Sequence, residues 1–164
     1  MHTYIALGAN LGDRHAAMRQ AIQALDERVG SLVKCSSFYE TVPVDFESDH
    51  LFLNAVAIFD TTLSTEALLN VTQTIEIEMG RTQKSVNGQH FDRCIDIDIL
   101  LLGETVETTP RLVLPHPKMC ERLFVMEPLA EIAPEVKHPI SGKSFAEILE
   151  ELKREAAVCP PQEQ

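Results

Sequence analysis

No stretch of this chain approaches the ~18 consecutive apolar residues of a membrane-spanning helix, although apolar residues make up 45% of it. Its opening, MHTYIALGAN, lacks the basic region, apolar stretch and small-residue cleavage site of an export signal. The four cysteines (Cys35, Cys94, Cys120 and Cys159) include no CxxC pair. Scattered in this way they read as reduced thiols of a cytoplasmic protein and offer no zinc-binding pattern. Internal repeats, low-complexity tracts and linkers are also missing. One domain over 1–155 is therefore expected, with 156–164, which holds a Pro-Pro pair, as a flexible C-terminal tail. A chain of this length buries roughly two thirds of its unfolded surface and needs no disulfide to sustain a core.

Positive charge is scarce as well. The net charge of −11 argues against nucleic acid as a partner, because phosphate-backbone binding demands a basic surface. Between Arg81 and Arg122, however, six basic residues balance six acidic ones, so the whole excess lies elsewhere. Arginines kept to one region, beside paired aspartates, suit a small polyanion handled with a metal; ordinary surface charges would give the same count.

The apolar spacing sets the order of elements. Residues 3–7 (TYIAL) read as a strand and GANLGD as a turn, with Asp13 placed to cap the helix that follows. In that helix Met18, Ala21, Ile22, Leu25 and Val29 recur at three- and four-residue steps, and Gly30 ends it. Residues 32–39 form a second strand, 41–50 a polar loop and 51–59 a third strand. Ser64 caps a second helix, whose Leu68, Val71, Ile75 and Met79 share a face and which stops at Gly80. A polar loop at 82–92 leads to a fourth strand at 95–102. Val106 and Val113 mark short extra strands, and 121–132 and 144–154 are helical by pattern. Strand, helix, strand, strand, helix, strand is the split order of a ferredoxin-like α+β sheet, with the first and third strands central.

The fourth strand carries the chemistry. In RCIDIDIL, Asp96 and Asp98 point to one side, roughly 6–7 Å apart, while Ile95, Ile97 and Ile99 line the other. The aspartate side continues into Leu100 and Leu102, so the segment reads as a covered inner strand. That placement requires a further strand beside it or cover from the C-terminal helices. Two carboxylates held this way repel each other unless arginine, a proton or a metal ion intervenes.

Other polar residues stand out against apolar surroundings. Asn54 is a lone amide in LFLNAVAIF, on the same side as Phe52. A buried amide without partners costs about 1–3 kcal/mol, so it meets neighbouring backbone, water or a ligand such as a flat heterocycle. GANLGDR is neither a GxxxxGK[ST] loop nor a GxGxxG turn, and reads as a tight turn with a helix cap. RLVLPHPKMCERLF brings Arg111, His116, Arg122 and Phe124 close together; a histidine between prolines is more often structural than catalytic, while the arginines flanking it favour a phosphate-binding reading.

Together these motifs resemble the 6-hydroxymethyl-7,8-dihydropterin pyrophosphokinase family of folate biosynthesis. The resemblance rests on RCIDIDILLLG, LPHPKMCERLFVMEPLAEIAPE, YIALGANLGDR, SSFYET and FLNAVA, and runs from about Tyr4 to Leu152. It implies a ferredoxin-like βαββαβ sheet with helices packed on both sides, in three layers. It also implies transfer of pyrophosphate from ATP to the pterin's hydroxymethyl oxygen, with release of AMP.

By the same resemblance Asp96 and Asp98 are ligands of two Mg2+ ions, and with Arg81 and Arg93 form the catalytic set. Gln73, Arg93, Ile99, Arg111, His116 and Arg122 surround the nucleotide. Thr41, Val42, Pro43, Phe52, Asn54 and Phe124 form the pterin pocket, with Phe124 as a stacking face. The partners implied are ATP and a reduced pterin, with neither nucleic acid nor membrane. The chain departs from the usual family pattern at Val42, Phe52, Gln83 and His90-Phe91-Asp92. A ferredoxin-like binding module without catalysis, and nucleotidyl or glycosyl transfer on a DxD metal pair, are the alternatives.

Overall fold

The computed structural model describes residues 1–10, 12–41, 52–80, 85–86, 89–90 and 95–158. β1 (His2–Ala9) leads to α1 (Arg14–Arg28), whose N-terminus is capped by Asp13, the carboxylate accepting from Ala16 N at 3.1 Å. Met18, Ala21 and Leu25 of its predicted face are buried. β2 (Gly30–Cys35), β3 (Tyr39–Thr41) and β4 (Phe52–Thr61) follow. α2 (Thr65–Glu78) is capped by the Ser64 hydroxyl, which accepts from Ala67 N, and is followed by Gly80 at φ 109°. A two-residue hairpin, β5 (Ser85–Val86) and β6 (Gln89–His90), falls inside the polar segment expected to be a loop. β7 (Asp96–Leu102) then leads to a second small hairpin, β8 (Glu107–Thr108) with β9 (Val113–Leu114). A 3-10 turn (Met119–Glu121), α3 (Leu123–Ile132) and α4 (Phe145–Val158) complete the order.

The main sheet runs β2-β4-β1-β7, with β3 also paired to β4, and every pairing is antiparallel. This is the ferredoxin-like arrangement, with the first and third major strands in the middle. Its two faces are covered separately. Met18, Leu25, Leu68 and Ile75 bring α1 and α2 onto one face, whereas Met126, Leu129, Phe145 and Ile148 bring α3 and α4 onto the other. Three layers result. No helix among the described residues is long and apolar enough to cross a membrane. Cys35 and Cys120 are free thiols, and burial pushes both above the ordinary thiol pKa.

Several local expectations change. α1 ends just before Gly30, as expected, and that glycine also opens β2, where a Cβ would lie 1.9 Å from the Asp60 carbonyl oxygen. The strand expected over 32–39 is broken after Cys35. There the Ser36 hydroxyl accepts from Val56 N at 3.0 Å, taking the place of a backbone carbonyl. Val106 is in no strand; its neighbours Glu107 and Thr108 pair instead.

β7 is an edge strand, not an inner one. Helices cover it on both faces, which explains its apolar composition. Its outer edge is satisfied piecemeal: Ile97 N donates to Glu76 Oε2 at 2.7 Å, and Leu100 O accepts from His116 N at 2.9 Å. A bulge at Leu100 interrupts the pairing, since Tyr4 faces Leu101 while Ile5 faces Ile99. Leu100 and Leu101 consequently both enter the α3–α4 core, and Leu102 turns back to the α1–α2 core with Ile97 and Ile99. The aspartate side therefore continues into Leu100 but not Leu102. Thr3, fully buried, donates to Leu101 O at 2.8 Å beside the bulge.

Candidate active site

Register across the three strands β4, β1 and β7 lines up Asn54, Gly8 and Asp96 in one row, and Val56, Ala6 and Asp98 in the next. Side chains in register share a face. The two carboxylates thus stand beside a floor of small residues, with an amide on its far side. Asn54 Nδ2 donates to Thr41 Oγ1 at 2.6 Å, which turns Oδ1 toward Gly8. A Cβ on Gly8 would sit 3.1 Å from that oxygen. Gly8→Ala is expected to displace the amide and raise the KM for the ligand of this face several-fold, with little change in Tm. Steady-state kinetics and calorimetry on the variant would check both halves.

Two cavities open from this surface. The smaller, about 440 Å³, lies against the outer edge of β7 and is lined by Gln73, Glu76, Ile99, Arg111 and His116. The larger, about 820 Å³, lies on the α3–α4 face and is lined by Thr41, Phe52, Asn54, Arg122 and Phe124. Asp96 and Asp98 line both. A molecule in one cavity and a molecule in the other would meet at the carboxylate pair.

The residues singled out from the sequence divide between these cavities. Gln73, Ile99, Arg111 and His116, expected around a nucleotide, all line the smaller. Arg122, expected there too, lines the larger instead, its guanidinium 5.6 Å from the centre of the Phe124 ring. Arg81, Arg93, Val42 and Pro43 lie outside the described residues, as do Gln83, Phe91 and Asp92. The Arg111 guanidinium donates to Glu66 at 3.2 Å, Asn70 at 2.9 Å and Gln73 at 3.3 Å along one side of α2. All are exposed contacts, individually weak.

His116 is half-buried. Burial holds its pKa below the usual imidazole value, against the pull of Asp98 and together with Arg122 and Lys118. Its Nδ1 accepts from Lys118 N at 3.1 Å, so the neutral ring carries its proton on Nε2. The imidazole is a hydrogen-bond donor beside Asp98 at neutral pH.

Sequence reasoning missed Glu76. It is 92% buried and its carboxylate holds the amide of Ile97, the residue between the two aspartates. A signal was available: Leu68, Thr72 and Glu76 recur at four-residue steps, so Glu76 falls on the buried stripe of α2. Also missed was Glu131, which accepts from Ser37 N and Oγ and from Tyr39 OH at 2.8 Å. Burial, then the hydrogen bond to Glu131, pushes the Tyr39 phenol from 10.0 up to about 12. A raised folded-state pKa stabilises the fold fully below pH 10, and that contribution disappears as the pH rises toward about 12. Alkaline unfolding is accordingly expected to lose part of its pH dependence between these limits in Tyr39→Phe, as denaturant titrations at pH 9 and pH 12 would show.

No group of three or more His, Cys, Asp or Glu side chains that could hold a metal occurs among the described residues. Magnesium that arrives with a polyphosphate takes only one or two carboxylates and completes its shell with phosphate oxygens and water. The Asp96–Asp98 pair, opening into two cavities, fits that mode.

The 7,8-dihydro-6-hydroxymethylpterin-pyrophosphokinase (HPPK) family model matches residues 4–134. The chain belongs to this family. Among HPPK relatives, the 2-amino-4-hydroxy-6-hydroxymethyldihydropteridine pyrophosphokinase of Porphyromonas gingivalis is 51% identical over 132 residues, 80% of this chain and 90% of that protein. The enzyme of the same name from Bacillus subtilis is 45% identical over 135 residues, covering 82% and 79%. The crystal structure of Plasmodium falciparum HPPK-DHPS wild type with pteroate superposes with a TM-score of 0.76 at 16% identity, over 96% of this chain. This chain spans 43% of that one, so the match speaks for the HPPK fold alone.

Proposed function

We infer that this chain is an HPPK-type diphosphokinase: it transfers pyrophosphate from ATP to the hydroxyl of 6-hydroxymethyl-7,8-dihydropterin, releasing AMP, a step of tetrahydrofolate biosynthesis. The hydroxymethyl oxygen bonds to the β-phosphorus, the bond from that phosphorus to the α–β bridging oxygen breaks, and the hydroxyl proton is released. The observation that supports this best is the pair of aspartates common to two cavities of different character.

In this reading the smaller cavity takes ATP. Gln73, Arg111 and His116 bind it from α2 and from the segment around β9, and the Nε2 proton of His116 is available to a phosphate oxygen. The larger cavity takes the pterin. Asn54 and Thr41 meet its polar edge, Phe52 and Phe124 its faces, and Gly8 leaves room for the ring to lie on the sheet. Two Mg2+ ions held by Asp96 and Asp98 would neutralise phosphate charge and polarise the phosphorus under attack. The side chains themselves orient the two substrates and exclude water, which is where most acceleration of phosphoryl transfer originates. Arg81 and Arg93 complete the proposed phosphate-binding set. A cytoplasmic location, where ATP and magnesium are plentiful, belongs to the same proposal.

Incubation with ATP, magnesium and 6-hydroxymethyl-7,8-dihydropterin tests the reading directly. AMP and a pyrophosphorylated pterin are expected in equal amounts. Pyrophosphate in place of AMP would mean nucleotidyl transfer, and binding without either product would mean a non-catalytic module.

A further inference from the structure

Three donors converge on Glu131, at the last turn of α3. Ser37 N reaches both carboxylate oxygens at 3.1 Å, Ser37 Oγ reaches Oε2 at 2.9 Å, and Tyr39 OH reaches Oε1 at 2.8 Å. The cluster joins α3 to β3 and to Ser37 just before it. β3 is a strand of three residues that, among the described residues, pairs with β4 alone. On its opposite face Glu40 accepts from Arg14 Nη2 at 2.8 Å, so β3 is tied from both sides.

The far ends of these two elements hold the walls of the larger cavity. Tyr39 is in register with Asn54, and Thr41, two residues along on the same face, accepts from the Asn54 amide. Phe124 stands in the first turn of α3, roughly 10 Å along the helix from Glu131 at ~1.5 Å per residue. The separation between the Asn54–Thr41 edge and the Phe124 ring is thus set where β3 and α3 are joined.

We propose that Glu131 is a positioning residue for the pterin: with Tyr39 and Ser37 it fixes the width of the slot between the Asn54–Thr41 edge and the Phe124 ring. The proposal rests on reading the larger cavity as the pterin site. A flat ring gains from stacking and edge hydrogen bonds only when both walls are at the right distance. The nucleotide cavity lies across β7 and touches neither β3 nor α3.

The test measures the affinities of 6-hydroxymethyl-7,8-dihydropterin and of a non-hydrolysable ATP analogue, each with magnesium, by calorimetry. Glu131→Ala is expected to weaken pterin about tenfold and Tyr39→Phe about threefold, magnitudes appropriate to several lost hydrogen bonds and to one. ATP-analogue affinity changes less than twofold in both. Glu131→Gln, which keeps an acceptor oxygen, recovers part of the loss. Tyr39→Phe combined with Glu131→Ala is no weaker than Glu131→Ala alone. Should Glu131→Ala fail to fold, Tyr39→Phe and Ser37→Ala carry the same prediction. Pterin and nucleotide affinities falling in proportion, or pterin affinity unmoved in Tyr39→Phe and Glu131→Ala, overturns the proposal. Asn54→Ala separates the two layers of the reading. Pterin binding lost there but kept in Glu131→Ala removes only the clamp; pterin binding kept in both removes the slot and the clamp with it.

Discussion

Asp98→Ala is expected to lower kcat/KM by about three orders of magnitude, the equivalent of several kcal/mol of lost charge stabilisation, while leaving the fold intact. Asp98 is exposed at the rim shared by the two cavities, and its backbone pairing with Ala6 does not involve the side chain. Calorimetry without ligands is expected to give a Tm within a few degrees of wild type, as for most substitutions of an exposed side chain, and activity collapses all the same. Asp96→Ala behaves alike. Turnover within tenfold of wild type in either variant, with magnesium saturating, would remove the carboxylate pair from the mechanism.

Glu76→Ala has the second-largest expected effect, for a different reason. Its carboxylate stands in for a neighbouring strand, accepting the outward amide of Ile97 at 2.7 Å. Removing it leaves that N–H to water or to nothing, and frees the stretch of β7 that holds the aspartates in register. Losses of about 10–100-fold are typical when a group that orients metal-binding side chains is removed, and that range is expected in kcat. Glu76→Gln keeps an oxygen in the same place and is expected to restore most of the rate. Amide exchange at Ile97 supplies a reading independent of turnover: fast in Glu76→Ala, protected in wild type and Glu76→Gln. Equal kinetics for the alanine and glutamine variants would contradict this account.

The architecture was legible because it is written in spacing. Met18, Ala21 and Leu25 announce α1, Asp13 and Ser64 its cap and that of α2, and the element order fixes a ferredoxin-like sheet. The site was legible where residue type contradicts surroundings: two aspartates in an isoleucine strand, one amide in an apolar one. What escaped depends on partners distant in sequence. Nothing near Ser36 reveals that its hydroxyl interrupts a strand by bonding Val56, twenty residues on. The bulge at Leu100 follows from how β7 meets β1, which no periodicity in β7 alone can express. Glu131 meets donors some ninety residues earlier. Glu76 differs from these, since its place on the buried stripe of α2 could have been read in advance.

The sealed outer edge of β7 has a consequence for solubility. From Ile99 to Leu102 the strand is an uninterrupted aliphatic run, a composition that favours intermolecular β-pairing when its unpaired backbone is bared. The residues that close this edge, Glu76 by its side chain and His116 by its main chain, also line the smaller cavity. Glu76 is therefore constrained twice over, because a substitution there that reshapes the cavity also bares a strand edge on which copies of the chain can aggregate.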